Sequence, residues 1–284
     1  SGPIDLVDFE ANPRTQRDAL DAIKSLVHLP SDVVSPTWLD GGHERHQALD
    51  MLPCRSMNLH IPSGTILKPS PSLFTVNALD FDYVAEAPLP ICWLELLNQI
   101  FQQDVDSINL VQEWFGYCLT GDTRQQKMLL LVGPRRSGKG TIGRVLTRLV
   151  GEGNVVNPTT GGLAGPFGLH PLVGKSLAIV SDARFGGPHI GTVIERLLCI
   201  SGEDRLSIDR KFMGSVSLRL PTRLVFLSNE IPKLPDASGA LAGRFLVLTL
   251  RESFYGREDT TLTERLLGEM PGILLWALEG WKRL

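Results

Sequence analysis

The run Met128-Leu-Leu-Leu-Val-Gly-Pro-Arg-Arg-Ser-Gly-Lys-Gly-Thr-Ile142 constrains this chain more than any other. It joins an apolar strand, a glycine-spaced loop and the start of a helix in the order that a polyphosphate requires. Backbone N–H groups between Gly133 and Gly140 can curl around phosphate oxygens, and the helix behind them adds its N-terminal dipole. Gly133, Pro134, Arg135, Arg136, Ser137, Gly138, Lys139, Gly140 and Thr141 are therefore read as a nucleoside triphosphate loop. Lys139 is its positive charge for the outer phosphates. One position departs from G-x-x-x-x-G-K-[ST]: Gly140 stands where a hydroxyl residue is usual, and Thr141 follows one place later. Magnesium coordination is thus less firmly written than phosphate binding. The spacing of Ile142, Val145, Leu146 and Leu149 predicts the helix that the loop needs.

At 284 residues and 43% hydrophobic content, the chain has material for one large domain or for a core with a smaller partner. A net charge of −3 argues against wholesale wrapping of nucleic acid, while leaving room for a local basic surface. Cys54, Cys92, Cys118 and Cys199 show no close pairing, and no leader or apolar span near 20 residues stands out, so a cytoplasmic, reducing setting is expected with no membrane partner. His43, His46 and His60 with Cys54 fit no standard zinc spacing and are read as surface histidines. The chain opens on Ser1-Gly2, which fits a piece of something longer carrying residues of a tag.

Residues 1–120 alternate short helical signals with prolines and are read as a mostly helical accessory or collar domain. A short β-hairpin is expected near 57–67, and amphipathic helices at Trp93 to Phe101 and Ile108 to Leu119. Residues 121–255 change character. Met128–Val132, Leu177–Val180, Leu224–Leu227 and Phe245–Leu250 are apolar runs separated by loops and helices, the pattern of buried parallel strands. The fold class that follows is α/β, a P-loop three-layer sandwich of the AAA+ type around a parallel sheet, with ligand at the carboxyl ends of the strands. Residues 256–284 carry helical spacing and are read as a C-terminal helical segment.

Behind the loop, Leu177-Ala-Ile-Val-Ser-Asp182 places a single acid at a strand end, where a metal ligand or water-orienting group belongs. Glu203-Asp204 is read as a turn. Arg205 to Leu220 alternates apolar and polar residues around Met213-Gly214, a hairpin signature. Arg210, Lys211 and Phe212 at its tip pair positive charge with an aromatic ring, as nucleic-acid contact demands; a solvated tip is the competing reading. Asn229 ends another apolar strand and can sense a terminal phosphate without adding charge, although an Asn opening a turn before a proline also fits. Arg244, between Gly243 and an apolar strand, is a cation at a domain edge.

Taken in order, the loop, the single strand-end acid, the basic hairpin, the strand ending in Asn and Gly-Arg-Phe resemble a superfamily 3 helicase. More narrowly they resemble the helicase half of phage and plasmid primase-helicases. The resemblance runs from about residue 72 to 284, through Leu73-Phe-Thr-Val-Asn-Ala-Leu-Asp-Phe-Asp-Tyr83, Gln112-Glu-Trp-Phe-Gly-Tyr-Cys-Leu-Thr-Gly-Asp122 and Pro271-Gly-Ile-Leu-Leu-Trp-Ala-Leu-Glu-Gly280. It implies ATP and Mg2+ held by Lys139, Thr141 and the Walker B acid Asp182, with Asn229 as sensor and Arg244 as a finger acting on a neighbour's nucleotide. It also implies Arg210 and Lys211 on a hairpin lining a central channel, in a hexameric ring that moves 3′-to-5′ on single-stranded or forked DNA. A primase domain or protein is an expected partner. With only one acid on the Walker B strand, the catalytic base stays open. A nucleotide or small-molecule kinase and a non-motor ATPase that loads replication proteins are the rival readings.

Overall fold

In the computed structural model, which describes residues 11–30, 33–42, 45–232 and 239–284, successive residues of each apolar run point to opposite sides of one sheet. Met128, Leu130 and Val132 enter one hydrophobic cluster with Ala178, Val180, Leu224 and Phe226. Leu129 and Leu131 enter the other with Leu177, Ile179, Val225 and Leu227. A strand buried on both faces must be apolar throughout, which is why these runs do not alternate with polar residues.

The first part of the chain holds helix α1 (Pro13–Leu26), strands β1 (Thr37–Trp38), β2 (Met51–Pro53), β3 (Asn58–His60), β4 (Thr65–Leu67) and β5 (Leu73–Phe74), and helices α2 (Ile91–Phe101) and α3 (Val105–Leu119). There follow β6 (Met128–Val132), α4 (Lys139–Val150), β7 (Val155–Val156), α5 (Thr160–Leu163), β8 (Leu177–Val180) and α6 (Ile190–Ser201). The chain ends in β9 (Leu206–Arg210), β10 (Met213–Leu218), β11 (Arg223–Ser228), β12 (Phe245–Thr249), α7 (Leu262–Gly268) and α8 (Met270–Trp281). The five-stranded sheet has the order β12-β6-β11-β8-β7, and every pair in it is parallel. β11 is thus inserted between the strand that leads into the glycine-rich loop and the strand that leads to Asp182.

Between α1 and α2 the described residues form short antiparallel strands and turns, including the expected hairpin as β3 and β4, with no α-helix. His60 also departs from the sequence reading: it is buried at 8% exposure and stacked on His46 at 3.7 Å, its Nδ1 2.7 Å from the Ser63 hydroxyl. Its position on the middle strand of that small sheet turns it inward. His43 lies outside the described residues. No group of three or more His, Cys, Asp or Glu among the described residues is placed to hold a metal ion. No helix among the described residues is long and apolar enough to cross a membrane.

Helices α2, α3, α7 and α8 share one cluster with β6, α4 and β11, so the segments before and after the sheet belong to its core. Trp93, Phe115 and Trp276 form an aromatic trio with centroids 5.3 to 5.7 Å apart, joining α2, α3 and α8. α3 and α8 cross at backbone contact: a Cβ on Gly116 would overlap the Ala277 carbonyl oxygen, and one on Gly280 the Gln112 carbonyl oxygen. The N-terminus of α2 follows Pro90, which has no side-chain donor or acceptor for a cap. Glu269 supplies the cap from the far end of the chain, accepting from the backbone N–H groups of Cys92 and Trp93 at 2.9 Å each. A carboxylate there satisfies two orphan donors and faces the positive end of the helix dipole. Replacing Glu269 by Ala is expected to cost about 2 kcal/mol. Urea unfolding checks this, and a loss below about 0.5 kcal/mol would contradict the capping role.

Candidate functional site

The loop from Gly133 to Gly138 leaves the carboxyl end of β6 and enters α4, so the N-terminal N–H groups of α4 open onto the loop. Two glycines are required by packing. A Cβ on Gly133 would sit 2.5 Å from the Leu250 carbonyl oxygen, while Gly138 has φ +93° and lies against Ile100 of α2. Arg136 also takes a left-handed backbone, φ 60°, which a non-glycine residue adopts only under surrounding constraint. The constraint is visible: Phe254 N–H donates to the Arg136 carbonyl at 2.9 Å, and the Ser253 hydroxyl to the Arg135 carbonyl at 2.9 Å. Arg136 further pairs with Glu258 at 3.4 Å, so the segment after β12 straps the tip of the loop.

Lys139 is folded back into this cradle at 9% exposure. Its Nζ donates to the carbonyls of Gly133 (2.6 Å) and Pro134 (2.8 Å) and to the Ser137 hydroxyl (3.2 Å). Burial pushes the ammonium below the ordinary lysine value, and the nearby Asp182 carboxylate opposes that shift. A cation at a helix N-terminus favours an anion, which would have to displace the carbonyl oxygens that now hold the ammonium. The Thr141 hydroxyl accepts from Arg144 at 3.1 Å. Gly140 is exposed, and a Cβ on it would meet only the Arg144 guanidinium at 3.5 Å, an ordinary contact, so nothing steric demands glycine there.

At the strand tips, β8 runs into Asp182 (φ 50°) and β11 into Asn229. The two tips are tied together: Ala183 N–H donates to the Leu227 carbonyl at 2.9 Å. The buried Ser228 hydroxyl donates to the Glu230 carbonyl at 2.6 Å and lies 3.3 Å from that of Ala183. Phe185, just beyond Asp182, is anchored on Phe226 with centroids 5.4 Å apart. These tips enclose a cleft of about 430 Å³ lined by Asp182, Arg184, Asn229 and Glu230. A second cleft, about 350 Å³, lies across the loop between Gly138, Thr141 and Arg144 on one side and Leu96, Gln99 and Phe254 on the other. That volume falls in the range of small-molecule sites.

Arg244 lies elsewhere. It immediately precedes β12, whose Phe245 is in register with Met128 at the start of β6, so it stands at the amino end of the sheet. Its guanidinium is 3.5 Å from the Gln126 side chain, and Lys127 donates to the Gly243 carbonyl at 2.7 Å. The sheet is five residues deep here, about 17 Å, and separates Arg244 from the loop of its own chain.

The hairpin forms as β9 and β10, antiparallel, with an irregularity between Met213 and Val216. Ile208 anchors it in the core at 1% exposure, whereas Phe212 at the tip is 94% exposed with φ 63° and carries the Lys211 ammonium 5.1 Å from its ring centre. Arg210 is turned back onto the hairpin, donating from Nε to the Gly214 carbonyl at 3.0 Å. Sequence reasoning missed Glu230, absorbed there into a turn before Pro232, and Arg184, two residues past the strand-end acid. Neither has a hydrogen-bond or ion-pair partner for its side chain among the described residues, a property that only the fold reveals.

A protein family of unknown function (DUF5906) matches residues 131–244, which run from the end of β6 to Arg244. Among solved structures, the A-form apo structure of the NrS-1 C-terminal region is similar at 19% identity and a TM-score of 0.58, over 93% of this chain and 59% of that one. Another apo structure of the same region gives 18% identity and a TM-score of 0.60, over 93% and 60%. The chain thus spans about 60% of the length of the structures it matches, and the likeness is one of fold. The open surroundings of Gly140 give a direct test of the loop: Gly140→Ser is expected to stabilise α4 by about 0.5 kcal/mol. A loss of more than about 1 kcal/mol in chemical denaturation would show that the glycine is structurally required.

Proposed function

We propose that the chain is an ATP hydrolase coupled to DNA unwinding, a superfamily 3 helicase motor that works on single-stranded or forked DNA as a homo-oligomeric, hexameric ring. The observation that carries the reading is the division of charged groups between the two ends of one parallel sheet. Lys139 and Asp182 gather at the carboxyl end with the neutral amide of Asn229, and Arg244 stands at the amino end. An arginine that cannot reach its own loop is placed to reach the loop of the next subunit, where it would offset charge developing on a transferred phosphoryl group.

Within one subunit, ATP phosphates would replace the carbonyl oxygens that now hold Lys139, taking its ammonium together with the N-terminal N–H groups of α4. The nucleoside would lie in the cleft beside Thr141 and Leu96. The residues fit a metal that arrives with the nucleotide better than a resident one: among the described residues, exposed Asp182 has no hydrogen-bond or ion-pair partner and no dedicated cluster of ligands surrounds it. Thr141 and Asp182 would hold Mg2+, whose chemistry is to neutralise charge on the outer phosphates. Asn229 would orient the terminal phosphate or water by hydrogen bonding, without adding charge. Lys211 and Phe212, free at the hairpin tip, would meet the DNA backbone and a base, with Arg210 contributing through the shape of the tip.

Hydrolysis of ATP measured with and without single-stranded DNA, beside unwinding of a fork, tests this reading. DNA is expected to stimulate hydrolysis, and Lys139→Ala to abolish hydrolysis and unwinding. Phe212→Ala should weaken the DNA-stimulated part about 5- to 150-fold, the ~1–3 kcal/mol of a lost stacking contact, and Lys211→Ala several-fold, with DNA-free hydrolysis staying within about two-fold. Hydrolysis without strand separation would point to a loader, and transfer to a small acceptor to a kinase. Unwinding unaffected by either hairpin change would remove the hairpin from the mechanism.

A further inference from the structure

The strand that carries Asp182 has one acid where two tasks have to be done, holding the metal and activating water. The strand tips supply a second carboxylate from a different strand. Glu230 lies at the end of β11, the neighbour of both β6 and β8, and lines the same cleft of about 430 Å³ as Asp182, Asn229 and Arg184. Its backbone, two residues past β11, is tied to the strand tip. The Ser228 hydroxyl holds the Glu230 carbonyl at 2.6 Å, and the Ala183 to Leu227 hydrogen bond locks the two tips against each other. Its carboxylate is exposed and has no partner among the described residues. Asp182 faces Lys139 electrostatically, which directs it toward the phosphates and leaves Glu230 uncommitted.

Resting on the proposed ATP hydrolysis, we infer that Glu230 is the general base of the reaction. Its carboxylate accepts a hydrogen bond from the attacking water. As the water oxygen bonds to the γ-phosphorus, the bond from that phosphorus to the β–γ bridging oxygen breaks, its electron pair leaving with ADP. The water proton passes to a Glu230 oxygen and from there to solvent. The work is thus divided between strand tips: Asp182 beyond β8 would serve the cation and metal, and Glu230 beyond β11 the water. Arg184 is the one cation lining the cleft among the described residues.

Steady-state hydrolysis and binding of a non-hydrolysable ATP analogue, measured on the wild type, Glu230→Gln and Glu230→Asp, test the assignment. Glu230→Gln keeps the shape of the side chain and removes the base. It is expected to lower kcat about 100-fold or more while analogue affinity and thermal midpoint stay at wild-type values, and Glu230→Asp should retain part of the rate. A Glu230→Gln enzyme within about five-fold of the wild-type kcat would overturn the inference. So would a variant that loses rate only because it no longer binds the analogue. A wild-type protein that binds but never hydrolyses ATP, with or without DNA, would instead overturn the underlying reading, and this inference with it.

Discussion

The common direction of the sheet strands governs the rest of this molecule. Because β6, β7, β8, β11 and β12 all run the same way, their carboxyl ends must open on one edge and their amino ends on the other. Helices cover both faces, so the central strands β6, β8 and β11 are apolar on both sides, and their polar groups gather at the two edges. The chemistry-bearing residues obey that rule: Lys139, Asp182, Asn229 and Glu230 at one edge, Arg244 at the other. A parallel sheet separates complementary groups by its own depth, and in the proposed function a second copy of the chain would join them.

The glycine-rich loop is held by contacts from distant parts of the sequence. Ile100 of α2 rests on Gly138, the strap after β12 binds the Arg135 and Arg136 carbonyls, and Gln102 beyond α2 donates to Glu252 of that strap at 3.0 Å. α2 is in turn capped by Glu269 and packed on α3 and α8 through the aromatic trio. A displacement of the loop by a ligand would therefore be felt by the helices on one face of the sheet. The hairpin belongs to the other face, where Ile208 and Val216 pack with Phe226, so the two faces divide glycine-rich loop from hairpin.

Much of this was legible in the residues. The apolar runs that became β6, β8 and β11 declare themselves because burial on both faces removes polar residues, and the edge strand β12 keeps an apolar run although Val247 is exposed. The loop and hairpin declare themselves through glycine spacing and alternation. β7 escaped because Val155–Val156 is too short to show a period. The order of the sheet escaped because no local pattern records which strands become neighbours. The short strands between residues 37 and 74 are likewise below the length at which periodicity speaks. His60 reads as a surface histidine until the small sheet folds over it. The Glu269 cap joins positions 176 and 177 residues apart, and Glu230 looks like turn chemistry until the tips of β8 and β11 are seen to meet.

The claim at the centre is that each site is assembled from two subunits, a loop from one and Arg244 from its neighbour. Mixing Arg244→Ala with Lys139→Ala protein tests it most directly, with the mixed assembly verified by mass. Neither variant alone should hydrolyse ATP appreciably, and their mixture should recover part of the wild-type turnover, because an intact loop then meets an intact arginine at some interfaces. Absence of any recovery in a verified mixed assembly would contradict the shared site.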